Sequence, residues 1–276
     1  MQIIDTHQHF WNYDPQRHDW INEDMQKIRK NFLPEDLAPI LKENKVAGCI
    51  SVQVDQTLEE TDFLLTLAKQ NDFIKGVVGW VDLRSLDLEA TLNHYKDSKA
   101  LKGFRHIIQG EAAGFMLQPK LIAGLNKLPA HGYTYDLLIY AHQLKEANEL
   151  IKQLSPDLPI VIDHIAKPAI KNSEIAEWEK GITALAQYPN VYCKISGMVT
   201  EAHWGTWTMA TLQPYLDKVV AAFGPHRILF GTDWPVCLVA ATYSTWLNGI
   251  QTYFNTFSNA EQEAIFANNA IKFYKL

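Results

Sequence analysis

Ile3-Ile4-Asp5-Thr6-His7-Gln8-His9 opens the chain with a short apolar run that gives way at once to polar, ionisable side chains. The pattern recurs. Further apolar runs stand at Cys49–Val52, Val77–Trp80, Leu101–Phe104, Tyr135–Ile139, Ile160–Ile162, Val191–Ile195 and Ile228–Phe230, which makes eight in all. Several are nearly continuous in apolar character, as expected of strands covered on both faces. Between them lie helix-length stretches with one-sided stripes: Leu144, Ala147, Ile151 and Leu154 in one, and Ile175, Trp178, Ile182 and Leu185 in the next. Pro34-Glu35-Asp36 reads as a first helical turn, with acidic residues near its positive end. Eight strands alternating with at least eight helices predict an α/β fold, a (β/α)8 TIM-like barrel. An open doubly wound sheet shares the alternation, but no glycine-rich phosphate loop follows the first strand.

The length of 276 residues suits one such barrel, so residues 1–276 are expected to form a single domain. The longest connection, Phe10 to Asn31, is rich in Trp, His, Asp and Asn and is predicted to cover the mouth. Hydrophobic residues make up 47% and charged residues 20%, an ordinary globular balance. Net charge is −6 and no basic tract occurs, which argues against a nucleic-acid or anionic-membrane surface. No apolar run is long enough to cross a bilayer, and the first residues do not read as a signal peptide. The three cysteines, Cys49, Cys193 and Cys237, form no CxxC pair. They read as buried thiols in a reducing, cytoplasmic setting.

Function in a parallel barrel sits where the strands end at their C-terminal edge. Those ends carry His7 and His9, Gln53 and Asp55, Asp82, Arg105 and His106, Tyr140 and His142, His164 and Lys167, Lys194 and Ser196, and finally Asp233. In extended chain, residues i and i+2 point the same way, so His7 and His9 can address one metal ion. Imidazole suits zinc and its first-row neighbours. Two imidazoles, His164 and Asp233 together predict a catalytic site for one divalent ion, zinc or manganese, with Asp233 also able to take a proton from water. Arg105 either stabilises an oxyanion or forms a rim salt bridge, and Lys167 and Lys194 pose the same choice. His142 is a ligand, a substrate contact or a residue near the next helix start. Trp11, Trp204, Trp207 and Trp234 either wall a pocket or pack loops. Ser196 has no neighbouring base in the sequence, and His94, His131 and His226 read as structural or solvated.

These residues resemble the amidohydrolase superfamily, in the branch of sugar-lactone hydrolases such as L-fuconolactonases and L-rhamnonolactonases. The resemblance spans essentially the whole chain. It is carried by Asp5-Thr6-His7-Gln8-His9-Phe10-Trp11, Gly103-Phe104-Arg105-His106, Ala141-His142-Gln143-Leu144, Asp163-His164-Ile165-Ala166-Lys167-Pro168, Lys194-Ile195-Ser196-Gly197 and Phe230-Gly231-Thr232-Asp233-Trp234-Pro235. It implies a distorted barrel with His7, His9, His164 and Asp233 as core site residues. Many superfamily members bridge two metals with a carboxylated lysine on the fourth strand. Here that strand ends in Arg105 and His106, which argues against a two-metal site, and the branch also includes lactonases that work without metal.

The expected reaction is hydrolysis of a small sugar lactone to its aldonic acid, with Asp233, His164 and Arg105 catalytic. The expected substrate contacts are His142, His106, Trp11, Lys167, Lys194 and Trp234. The expected partner is the small-molecule lactone, with neither nucleic acid nor membrane, and a homo-oligomer is compatible. The competing expectations are a non-oxidative decarboxylase of the same superfamily and a non-catalytic sugar-binding barrel.

Overall fold

The computed structural model describes residues 1–276. Eight parallel strands run in sequential order: β1 (Ile4–Gln8), β2 (Gly48–Val52), β3 (Ile74–Gly79), β4 (Leu101–His106), β5 (Thr134–Leu137), β6 (Ile160–Ile162), β7 (Val191–Ile195) and β8 (Ile228–Phe230). One helix follows each strand in turn: α1 (Pro34–Glu43), α2 (Leu58–Gln70), α3 (Leu88–Tyr95), α4 (Pro119–Leu125), α5 (Leu144–Ile151), α6 (Ala176–Leu185), α7 (Met209–Phe223) and α8 (Tyr243–Phe254). This is the predicted (β/α)8 barrel. Its seam is closed less by a strand ladder than by individual bonds. The Thr6 hydroxyl donates to the Phe230 carbonyl at 2.7 Å, and the backbone N–H of His9 donates to the Trp234 carbonyl at 2.7 Å.

Two separate apolar cores explain the continuous apolar runs. The larger packs the helices onto the outside of the strands. The smaller fills the barrel with Ile4, Ile50, Val52, Val78, Val161 and Leu229. A C-terminal segment supplies its base: α9 (Asn259–Glu263), a π-helical turn (Ala264–Asn268) and α10 (Asn269–Tyr274). Asn269 donates to the carbonyl of Ile228, where β8 begins, and Phe273 and Tyr274 join the inner core from below.

β1 extends beyond the Ile3-Ile4 run because Asp5, Thr6, His7 and Gln8 are all buried within the fold. Polar character there signals a charged interior rather than a strand end. The expected mouth loop leaves the barrel at a neck, where Trp11 and Phe32 exchange backbone hydrogen bonds of 2.9 and 3.0 Å. The Trp11 indole locks the neck by donating to the Lys30 carbonyl at 2.8 Å. No helix is long and apolar enough to cross a membrane.

Candidate active site

His7, His164 and Asp233 converge at the C-terminal edge of the barrel, each offering a ligand atom within 4.8 Å of the others. His7 lies on β1 and the other two on the segments just beyond β6 and β8, so the sheet sets their spacing. His9 joins through Nε2, which lies 3.2 Å from Oδ1 of Asp233.

Local backbone aims these side chains. His164, Ile165, Ala166 and Lys167 have φ of 51°, 50°, 59° and 44°, four successive left-handed residues without a glycine. Each costs on the order of 1–2 kcal/mol, and such strain gathers where function requires it. The turn is held by a hydrogen bond of 2.8 Å from the Lys167 N–H to the His164 carbonyl. The Trp178 indole also donates to the Ile165 carbonyl at 2.7 Å. Asp233 is left-handed too, with φ 61°. Gly197 makes room for both: a Cβ there would stand 2.5 Å from Nδ1 of His164 and 3.2 Å from Oδ2 of Asp233.

Hydrogen bonds orient the three imidazoles and fix the tautomer of His9. Nδ1 of His9 donates to the Val52 carbonyl at 2.7 Å, so a neutral ring presents a bare Nε2 to Asp233. Nη1 of Arg105 donates to Nε2 of His7 at 3.2 Å, so that nitrogen is bare as well. Nδ1 of His164 pairs with the Ser196 hydroxyl at 2.9 Å, leaving its Nε2 toward Asp233. Burial pushes His7 well below the ordinary imidazole range and lowers His9. It takes His164 down to about 4. The three rings are therefore neutral near pH 7, the form that ligates a metal. Burial raises the Asp233 carboxyl, but the neighbouring His164 and His9 imidazoles outweigh it and hold the group below its ordinary value. The Asp233 carboxylate facing the bare Nε2 of His9 leaves lone pairs opposed, and a divalent cation resolves that opposition. The donor set, imidazole nitrogen plus carboxylate, suits zinc or manganese.

Above this floor lies a cavity of about 480 Å³. His9, Arg105, His164 and Asp233 reach it from below, Lys167 and Tyr140 from the side, and Arg17, Asp19 and Trp20 from the mouth loop. Arg17 pairs with Asp55 across the rim, its Nε 2.8 Å from Oδ2.

A family model described as amidohydrolase matches residues 4–276. The chain belongs to the amidohydrolase family. This amidohydrolase is 35% identical to an L-fucono-1,5-lactonase from Burkholderia multivorans, covering 99% of this chain and 96% of the relative. It is 33% identical to an L-fucono-1,5-lactonase from Burkholderia ambifaria, covering 99% and 95%. A crystal structure of an amidohydrolase from Burkholderia multivorans with bound zinc superposes with a TM-score of 0.96 at 35% identity, over 100% of both chains.

Within this amidohydrolase the other sequence-predicted residues divide. Arg105 lines the cavity but is heavily engaged, with Nη1 3.2 Å from Oδ2 of Asp163 and Nη2 bonded to Gln53. Lys167 lines the cavity over the Tyr140 ring, at 5.6 Å. Five residues expected to touch substrate do not line the cavity. His106 turns to Glu111 at 2.8 Å and stacks on Phe115. His142 is exposed in a separate groove beside α6, because Gln143 takes the inward position and accepts from the Tyr140 N–H at 2.9 Å. Trp11 and Trp234 are buried against Phe32. Lys194 is fully buried inside the barrel, where it contacts Asp136 and Asp163.

Sequence reasoning missed Asp163, which lies 3.3 Å from Nδ1 of His7 and also meets Arg105 and Lys194. Its signal was the position just beyond β6, one residue before His164. Asp136 was missed as well, although it interrupts the apolar character of β5. Arg17, Asp19 and Trp20 carry no pattern that marks them in the sequence.

Proposed function

We propose that this chain hydrolyses a small, neutral sugar lactone of the L-fucono- or L-rhamnono-lactone type to the aldonic acid, with one divalent ion, zinc or manganese, at His7, His164 and Asp233 and with His9 beside them. The observation that carries the reading is near-complete coverage of L-fucono-1,5-lactonases at 33–35% identity. The polar cavity above Asp233 supports it. The lactonase relatives favour hydrolysis over decarboxylation and over a purely binding role. The zinc bound in the Burkholderia multivorans structure supports the choice of ion. The three buried free cysteines support a reducing, cytoplasmic setting.

When bound, the ion supplies Lewis acidity that eases ionisation of water and polarises a carbonyl. The residues supply the rest. Asp233, ionised and at the cavity floor, accepts the proton of the water that attacks the lactone carbonyl carbon. Arg105 lines the cavity with its Nη groups already held by Asp163, His7 and Gln53, so it adds a fixed positive charge beside the developing oxyanion rather than a free donor. The ring C–O bond breaks, and Asp233 returns the proton to the departing ring oxygen, leaving a hydroxy acid. Lys167 and Tyr140 offer hydrogen bonds to substrate hydroxyls, and Trp20 offers an apolar face at the rim.

The charge balance of the cavity supports a neutral substrate. Arg17 is spent on Asp55 and Arg105 on Asp163, which leaves Lys167 as one cation against Asp19, Glu111 and Asp233 among the groups that line the space. A proton-release assay over neutral aldonolactones, a carboxylated lactone and an unsubstituted lactone tests this. The neutral polyhydroxylated lactones should lead by at least about 10²-fold in kcat/KM, because pocket groups built to hold hydroxyls are otherwise left unpaired. Equal turnover of a carboxylated lactone contradicts the reading.

A further inference from the structure

Four ionisable side chains line the barrel interior below the site, and the hydrolytic step uses none of them directly. Tyr274, on the last turn of α10, donates its hydroxyl to Asp136 at 2.9 Å from Oδ2. Asp136 holds the ammonium of Lys194 in a close ion pair. Lys194 in turn lies 3.1 Å from Oδ1 of Asp163 and 3.3 Å from Nδ1 of His7. Asp163 also reaches Nδ1 of His7, at 3.3 Å. Asp136, Asp163, His7 and Lys194 all have zero exposure, and Tyr274 has 1%.

Nδ1 of His7 therefore has two competing neighbours at the same distance: the Lys194 ammonium, to which it is hydrogen-bonded, and Oδ1 of Asp163, a buried acceptor with no other hydrogen-bond partner. If the ring donates from Nδ1 to Asp163, Nε2 is bare and can ligate a cation. If Nδ1 instead accepts from Lys194, Nε2 carries the proton and cannot. Arg105 tips the balance toward the first state: its guanidinium, like the Lys194 ammonium, only donates, and its Nη1 lies 3.2 Å from Nε2 against 3.3 Å for Lys194 on Nδ1. We propose that Tyr274 and Asp136 are positioning residues that, by drawing Lys194 away from Nδ1, select the Nδ1–H tautomer of His7, linking the C-terminal plug of the barrel to the metal-binding edge. Asp136 draws Lys194 downward and occupies its protons. Tyr274 fixes the carboxylate that does so. Asp163 is then free to accept from His7. Orientation of a ligand histidine by the partner of its second nitrogen is the general means by which a protein sets its metal affinity.

The proposal rests on the reading of His7 as a cation ligand only for its effect on affinity; the tautomer itself is independent of it. The test uses the full chain labelled with ¹⁵N-histidine, cleared of divalent ions, with His7 assigned by its loss in His7→Gln. Two-bond ¹H–¹⁵N correlations report the tautomer, and zinc competition against a chelator reports affinity. The parent should show His7 protonated at Nδ1. Tyr274→Phe, which keeps the ring and removes one hydroxyl, should move a measurable fraction to Nε2–H and weaken zinc binding about threefold or more. Asp136→Asn should shift the population further, and Lys194→Met, which removes the competing donor, should restore Nδ1–H. An Nε2–H ring in the parent, or an unchanged tautomer in both Tyr274→Phe and Asp136→Asn, overturns the proposal. A tautomer that responds as described in a parent that binds no zinc upholds the ladder and refutes the metal reading instead.

Discussion

Nε2 of His9 stands 3.2 Å from Oδ1 of Asp233, while Nδ1 of the same ring is committed to the Val52 carbonyl at 2.7 Å. Two acceptors face one another in a buried place, an arrangement that favours a cation. Zinc should therefore stabilise the fold by mass action, by about 2.7 kcal/mol at a hundred times its Kd. Scanning calorimetry with and without zinc measures this. Because burial holds His164 at about 4 and lowers His7 and His9, protons compete little at neutral pH. Affinity should stay nearly flat from pH 8 to about 6 and weaken only as pH approaches the titration of His164. An unchanged Tm, or an affinity that falls steeply through pH 7, contradicts this.

Gly197→Ala tests the packing that aims His164. The new methyl would meet Nδ1 of His164 at 2.5 Å on a residue whose φ is +62°. We expect a loss of about 1–3 kcal/mol in stability and at least tenfold in kcat, because the imidazole must leave the Ser196 hydroxyl. Denaturant unfolding and initial rates read the two effects. A variant as active as the parent would show that this contact does not position His164.

The expected strands and helices were legible because each apolar run faces one of two cores, so composition alone exposes it. The convergence of His7, His164 and Asp233 was legible for a related reason: all three sit where an apolar run stops. Direction was harder to read. His142 and His164 both follow strand ends, and only the three-dimensional course of the chain separates them, since Gln143 turns inward in place of His142. The left-handed turn at His164–Lys167 has no glycine to announce it. Lys194 is expected at a strand end as a substrate contact or a rim salt bridge and instead lies inside the barrel; its partners Asp136 and Asp163 come from other runs and cannot be paired by inspection of one run.

Glu60, behind the cavity wall at Val54, gives a pH prediction outside the metal-binding group. Burial raises its carboxyl from 4.5 to about 7, against the opposing hydrogen bond from the Val54 N–H. The folded state thus keeps a proton that the unfolded chain has already released. Between about pH 4.5 and pH 7 unfolding releases that proton, so the Glu60 contribution to stability declines as pH rises through this window. Glu60→Gln retains an acceptor for Val54 and cannot ionise. It should be more stable than the parent at pH 7 by on the order of 1–3 kcal/mol, with the difference vanishing near pH 4. Parallel urea titrations across this range measure it, and a parent and variant with the same pH slope would refute the assignment.

The central claim, that Asp233 at the cavity floor drives lactone hydrolysis, is tested most directly by Asp233→Asn assayed beside the parent on L-fucono-1,5-lactone at saturating zinc. The amide matches the carboxylate in shape but cannot accept the proton of water. The account predicts measurable turnover by the parent and a kcat lower by about 10²–10⁴-fold in the variant, with an unchanged circular dichroism spectrum. A parent inactive on sugar lactones, or a variant within a few-fold of the parent, would contradict it.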